Sequence, residues 1–171
     1  MMKKLIFIGG APGVGKTTVA KMLIDELEKS VMLDGDWCWY QGKHWNFSQE
    51  NKDMVVDNIV YTLNNFLKND SFDHVVFSWV LHLQETHDFI LKNLKFKNFK
   101  FYDISLTCDE HIIRRRIKSA NSDISSNDLE QLVNRALDRN KCCCKLSTVK
   151  IDTSKLNKDE VLTDMLNIIR K

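Results

Sequence analysis

The chain has almost no proline: one residue in 171, Pro12. That excludes a proline-rich linker, and no internal repeat or low-complexity segment marks a boundary, so a single domain over 1–171 is expected. Net charge is nearly absent too, with 25 basic and 23 acidic residues leaving a formal +2. That balance excludes the broad basic face that a duplex would require, and no long nucleic acid is expected as a partner. No apolar run is long enough to span a membrane. Met1-Met2-Lys3-Lys4 before Leu5-Ile6-Phe7-Ile8 has the outline of a secretory start, but the apolar run is too short. Five cysteines, an odd number in no disulfide-like pattern, point to a reducing compartment, so a cytoplasmic protein is expected. Cys142, Cys143 and Cys144 are adjacent, and neighbouring side chains point in different directions. They make a poor tetrahedral metal site and read instead as partly buried thiols near a helix end.

What the chain does have is Gly9-Gly10-Ala11-Pro12-Gly13-Val14-Gly15-Lys16-Thr17-Thr18. From Gly10 to Thr17 this is G-x-x-x-x-G-K-[ST] without a mismatch. A phosphate chain needs several backbone N–H groups converging on it, in a loop whose bends a Cβ would obstruct. Gly10, Gly13 and Gly15 remove that obstruction. Lys16 supplies a cation for the β- and γ-phosphates, and the Thr17 hydroxyl can ligate Mg²⁺. Context supports the motif. Lys4–Ile8 reads as a buried parallel strand, and Thr18–Lys29 carries Val19, Leu23 and Leu27 at helical spacing. The loop therefore lies between a strand and a helix N-terminus, whose partial positive charge faces the phosphates. A nucleoside triphosphate is the expected ligand.

Further along, Ser30–Leu33 reads as a second strand ending at Asp34-Gly35-Asp36. Trp37, Trp39, Tyr40, His44, Trp45 and Phe47 follow in a segment without clean periodicity. Ser48 can cap a helix running to about Lys68, with Val55, Ile59, Leu63, Phe66 and Leu67 as its stripe. Phe72–Val80 is nearly all apolar and reads as a central third strand; Glu85–Leu94 gives a short helix. Lys100–Leu106 alternates enough for a fourth strand nearer an edge, and Asp109 to about Ser119 is a helix carrying Arg114-Arg115-Arg116. Ser125 with Asp128 resembles a capping box for a helix continuing to around Asn140. Ser147–Ile151 is a fifth strand, and Asn157 with Glu160 opens a last helix. Strands alternating with helices imply an α/β fold, a parallel sheet covered on both faces. Ligands of such sheets bind outside the carboxyl ends of the strands, where Asp34, Asp36, Ser78 and the glycine-rich loop would all meet.

Because strand residues alternate, Asp34 and Asp36 are expected to point the same way, toward the phosphates. Asp34 is assigned to the metal shell. Asp36 is assigned to the acceptor hydroxyl and its proton.

The P-loop and the Leu33-Asp34-Gly35-Asp36 run resemble the P-loop small-molecule kinases. Gluconate and adenylylsulfate kinases carry a D-G-D at the end of strand two, and shikimate kinases a related D-x-D. The resemblance implies the P-loop NTPase fold: five parallel strands in the order 2-3-1-4-5, helices on both faces, and a mobile lid. It implies ATP and Mg²⁺ as cofactors and transfer of the γ-phosphoryl group to a small-molecule hydroxyl. The P-loop residues carry over to Gly10, Gly13, Val14, Gly15, Lys16, Thr17 and Thr18, and the carboxylates to Asp34 and Asp36. A lid motif like R-(L/I)-x-x-R matches Arg116 and loses its second arginine to Ala120. This places a lid at 114–126 with Arg116 over the transferring group, and Arg114, Arg115 or Arg139 as substitutes for the missing one. Adenine in these enzymes rests near the loop after strand five, here Asp152, Thr153 and Ser154. The aromatic run after Asp36 departs from the gluconate kinase pattern, so the segment 37–68 is expected to receive an acceptor with a planar or partly apolar body. The alternatives are a nucleoside or nucleotide kinase, and a protein that holds ATP without turnover.

Overall fold

The computed structural model describes residues 2–42 and 46–170; His44 and Trp45 of the aromatic run lie outside the described residues. Five strands, β1 (Lys3–Gly10), β2 (Ser30–Asp34), β3 (His74–Ser78), β4 (Phe99–Thr107) and β5 (Val149–Asp152), form one sheet in the order β2-β3-β1-β4-β5. Every pairing is parallel. Among the described residues, six α-helices cover it: α1 (Lys16–Glu26), α2 (Gln49–Lys68), α3 (Gln84–Asn93), α4 (Glu110–Ala120), α5 (Ser126–Lys145) and α6 (Lys158–Arg170).

Strand β1 explains why the apolar runs are continuous. Its alternate side chains enter two separate cores, Leu5 and Phe7 against α2 and α3, Ile6 and Ile8 against α1, α4, α5 and α6. A strand buried on both faces has no position left for a polar residue. Helix starts follow their caps. Ser48 accepts from Asn51 N at 3.3 Å, and Ser125 from Asp128 N at 3.2 Å. Asn157 and Glu160 form a reciprocal box, with Asn157 N to Glu160 Oε2 at 2.7 Å and Glu160 N to Asn157 Oδ1 at 3.0 Å.

Several boundaries differ from the sequence expectation. β3 stops at Ser78 rather than Val80, because the chain bends at Leu81, which has a φ of +34°. Helix α5 continues past Asn140 to Lys145. Asn140 does not end it because its amide is occupied, donating to Cys108 O at 2.9 Å and accepting from Cys108 N at 3.3 Å. Cys142–Cys144 thus fall in the last turns of α5, Cys143 buried and Cys144 exposed. Gly35–Trp39, which spans the expected end of strand two and the start of the aromatic run, is a 3-10 helix.

Candidate phosphate and acceptor site

β1 delivers its chain straight into the phosphate loop. Gly10 has a φ of +147°, and a Cβ there would stand 2.6 Å from Leu106 O, so no other residue fits. Gly15 is the N-cap of α1 at φ +103°. Open space surrounds it, so its requirement is conformational. The first N–H groups of α1 have no intrahelical partner and face the loop's mouth. Lys16 Nζ donates to Ala11 O at 3.0 Å. Burial lowers the Lys16 pKa to about 8, against the opposite pull of Asp36, Cys143 and Asp34.

The Thr17 hydroxyl donates to Asp34 Oδ2 at 3.0 Å. Asp34 lies in register with Ser78 of β3. Met32 and Val76, two residues before each, pack in the core under α1, so strand alternation turns Asp34 and Ser78 to that same side. Ser78 is 1% exposed, and its hydroxyl has no protein partner. A threonine hydroxyl, a carboxylate and an orphan serine hydroxyl form an all-oxygen set. That chemistry fits Mg²⁺, which retains waters and takes few protein ligands. Among the described residues, no group of three or more His, Cys, Asp and Glu could hold a metal ion.

Asp36 reaches this site by a route other than strand alternation. β2 has ended, and the pair is set by a turn in which Asp36 N donates to Asp34 Oδ1 at 3.1 Å. The Asp36 side chain is then fixed from outside: Trp79 Nε1 donates to its Oδ1 at 3.0 Å. The Trp79 ring lies so close to Gly35 that a Cβ there would be 2.4 Å from its Cγ. The glycine of D-G-D is therefore the seat of an indole that holds the second carboxylate. Sequence reasoning missed this contact, since nothing marks residues 43 positions apart as partners.

The arginines divide between two flanks. Arg116 donates to the Thr153 hydroxyl at 3.2 Å, to Thr153 O at 3.1 Å and to Gly13 O at 3.4 Å. With a further contact to Cys108 Sγ at 3.8 Å, its hydrogen bonds run to the P-loop, the β4–α4 connection and the β5–α6 loop. Arg114 pairs with Glu130 at 2.8 Å on an exposed face, and Arg115 is exposed. Arg139 lies on the carboxylate side. It opposes the charge of Lys16, and Asp36 acts on it in turn. Arg135, Arg139 and Cys143 are spaced i, i+4, i+8 on one face of α5, and the charges of Arg139 and Cys143 reach Lys16.

Thr153 anchors the loop after β5. Its N–H donates to Thr107 O at 2.8 Å and its hydroxyl to Val14 O at 3.3 Å. Ser154 Oγ accepts from Asp109 N at 2.8 Å, and hydrogen bonds from Ser154 hold the Asp152 carboxyl below its usual range. At the other end of the cleft, Trp37 is 59% exposed and Tyr40 87%. Trp39 packs edge-on against Phe47, centroids 5.4 Å apart, and Asn58 of α2 ties Cys38 O at 3.1 Å.

A family model described as an AAA domain matches residues 6–145, most of the chain and all of the phosphate and carboxylate residues. The chain belongs to the AAA domain family. Solved structures of other proteins share this P-loop NTPase fold. A gluconokinase from Sinorhizobium meliloti 1021 superposes with a TM-score of 0.71 at 14% identity, covering 97% of this chain and 91% of that one. Shikimate kinase from Aquifex aeolicus vf5 gives 0.62 at 14% identity, covering 97% and 96%. The tunicamycin resistance protein of Deinococcus radiodurans gives 0.65 at 16% identity, covering 98% and 95%. No curated protein matches the chain. None of the described helices is long and apolar enough to cross a membrane.

Proposed function

We propose that this AAA domain is an ATP- and Mg²⁺-dependent phosphotransferase acting on a hydroxyl of a small molecule. The observation that carries the reading is the second carboxylate. Asp36 stands beside the Thr17–Asp34 pair and is held there by Trp79. A carboxylate so placed is what an attacking hydroxyl needs to receive its proton.

In this reading the P-loop, with Gly10, Gly13, Val14, Gly15 and Thr18, binds the triphosphate. Asp152, Thr153 and Ser154 border the base. Thr17 and Asp34, with Ser78 beside them, hold the Mg²⁺, which neutralises charge on the phosphates. The acceptor oxygen bonds to the γ-phosphorus, its proton passes to Asp36, and the bond to the β-phosphate oxygen breaks to leave ADP. Lys16 stabilises the charge that develops on the transferring group. Arg116 steadies the P-loop from the base side, and Arg139 is the arginine better placed for the transferring group. The segment 114–126, from the last two turns of α4 through the junction to α5 at 121–125, is the lid. The segment 37–68 receives the acceptor, and exposed Trp37 and Tyr40 favour a planar body such as a nucleoside.

The test is ADP release with ATP and Mg²⁺ across nucleosides, nucleotides, sugars, sugar acids and aminoglycosides, with Asp36→Asn beside the wild type. A hit lost in the variant supports the reading. Intact ATP binding with silence on every acceptor points to a non-catalytic ATP-binding protein.

A further inference from the structure

The apolar core between β1, β4, α2 and α3 contains one ionisable pair that the proposed chemistry does not use. His87 of α3 is fully buried. Its Nδ1 lies 2.8 Å from Asp103 Oδ2 on β4, and its Nε2 lies 3.1 Å from Leu81 O. A carbonyl only accepts, so Nε2 carries a hydrogen. The contact to Asp103 needs a second proton between ring and carboxylate. A neutral ring has one N–H, which stays on Nδ1 beside the carboxylate, so losing the other proton breaks the bond to Leu81. The other Asp103 oxygen is buried without a partner, so the carboxylate's charge depends on the ring for compensation.

The bond to Leu81 holds the bend of the chain after β3. Leu81 is 1% exposed and left-handed, at φ +34°. A Cβ on Gly9 would meet Leu81 Cβ at 3.1 Å, so this bend rests directly on the entry to the P-loop. Val80 O accepts from Gly10 N, and Trp79 N donates to Ile8 O, each at 3.2 Å. Trp79 then reaches Asp36. One short stretch of backbone therefore joins His87 to the proposed proton acceptor.

We infer that His87, protonated against Asp103, is a positioning residue: it locks the bend at Leu81 and, through Trp79, fixes the carboxylate of Asp36. Its effect on turnover rests on the phosphotransferase reading; the mechanical coupling does not. Burial is the largest single influence and lowers the His87 pKa, but the hydrogen bond and charge of Asp103, the Leu81 carbonyl and the charge of Asp88 of α3 together raise it. Around the ring, β1 contributes the apolar Phe7, at 6.0 Å between ring centroids, and the bend contributes a carbonyl. The neighbouring His82 answers instead to burial and Arg139, which lower its pKa. A raised histidine pKa means that the lock is complete below the unfolded value and is released as pH rises through the folded one.

The experiment is a pH titration of the intact wild-type protein by NMR. It follows the His87 ring nitrogens and the Trp79 indole N–H, the latter identified by its loss in Trp79→Phe. The expected result is both ring nitrogens protonated at neutral pH, and an indole signal moving with the same midpoint as the ring, above the ordinary histidine value. Asp103→Asn should lower both midpoints together, which separates them from Lys16; His87→Gln should leave the indole in its high-pH position throughout. At saturating ATP, kcat should fall about ten- to hundredfold across that midpoint with KM for ATP unmoved, the scale of a misplaced reacting group. A ring titrating at or below the ordinary value, or an indole indifferent to it, overturns the inference. So does turnover that passes the midpoint unchanged. Coupled titrations without turnover on any acceptor sink the phosphotransferase reading and leave the lock standing.

Discussion

Arg116 and Thr153 are joined twice, through the threonine hydroxyl at 3.2 Å and its carbonyl at 3.1 Å, and this ties α4 to the loop after β5 behind the P-loop. The family resemblance puts Arg116 over the transferring phosphoryl group, whereas these contacts turn its guanidinium to Thr153 in the loop after β5. Arg116→Ala should therefore raise KM for ATP about tenfold, and lower stability by about 1–2 kcal/mol, with a smaller change in kcat. Arg139→Ala should show the opposite pattern, kcat down about a hundredfold or more and ATP affinity nearly unchanged. Steady-state kinetics with thermal unfolding would separate the two, and the reverse pattern would return Arg116 to the phosphates.

Asp36→Asn keeps the size of the side chain and an oxygen for the Trp79 indole, but has little basicity. It should lower kcat by about 10² to 10⁴ with ATP affinity unchanged. Calorimetric binding beside single-turnover rates decides the point. A variant that turns over normally removes Asp36 from the chemistry.

Lys16 makes a pH prediction with a definite sign. Burial holds its pKa at about 8 in the nucleotide-free protein. A bound triphosphate favours the charged form and raises it. Between that value and the ordinary lysine value of about 10.4, binding should then take up protons, approaching one per nucleotide. Uptake should vanish well below pH 8, where the amine is already charged, and should be absent in Lys16→Gln. Titration calorimetry in buffers of different ionisation enthalpy measures it. Binding without uptake near pH 9 would mean that Lys16 does not meet the phosphates.

The parts legible in the sequence are those carried by local pattern. Two-sided burial makes β1 a continuous apolar run. The glycines of the P-loop are demanded by its own backbone, and Asn157 and Glu160 cap a helix with neighbours three residues apart. The strand order followed from the family resemblance. What escaped depends on contacts distant in sequence. His87 and Asp103 look like surface residues in a helix and a strand until the fold buries them together. Asn140 reads as a helix stop because nothing local shows Cys108 engaging its amide. Trp79 reads as the end of a strand, though its role is set by Gly35.

Gly35 supplies the last prediction. Its backbone needs no left-handed conformation; the residue is small because an indole occupies the place of its side chain. In Gly35→Ala the new Cβ would stand 2.4 Å from Trp79 Cγ and 2.6 Å from Cδ1, so the ring must leave its seat. Overpacking of this kind costs about 1–3 kcal/mol, and the displaced indole no longer holds Asp36. Stability and kcat should therefore fall together in Gly35→Ala. Trp79→Phe removes the N–H but keeps most of the ring, so kcat should fall with stability nearly intact. In a Trp79→Ala background the clash is gone, so adding Gly35→Ala should cost almost no further stability, while turnover stays low because nothing grips the carboxylate. Chemical denaturation and kinetics on the single and double variants check this. A Gly35→Ala protein that keeps both stability and rate would show that the indole is not what positions Asp36.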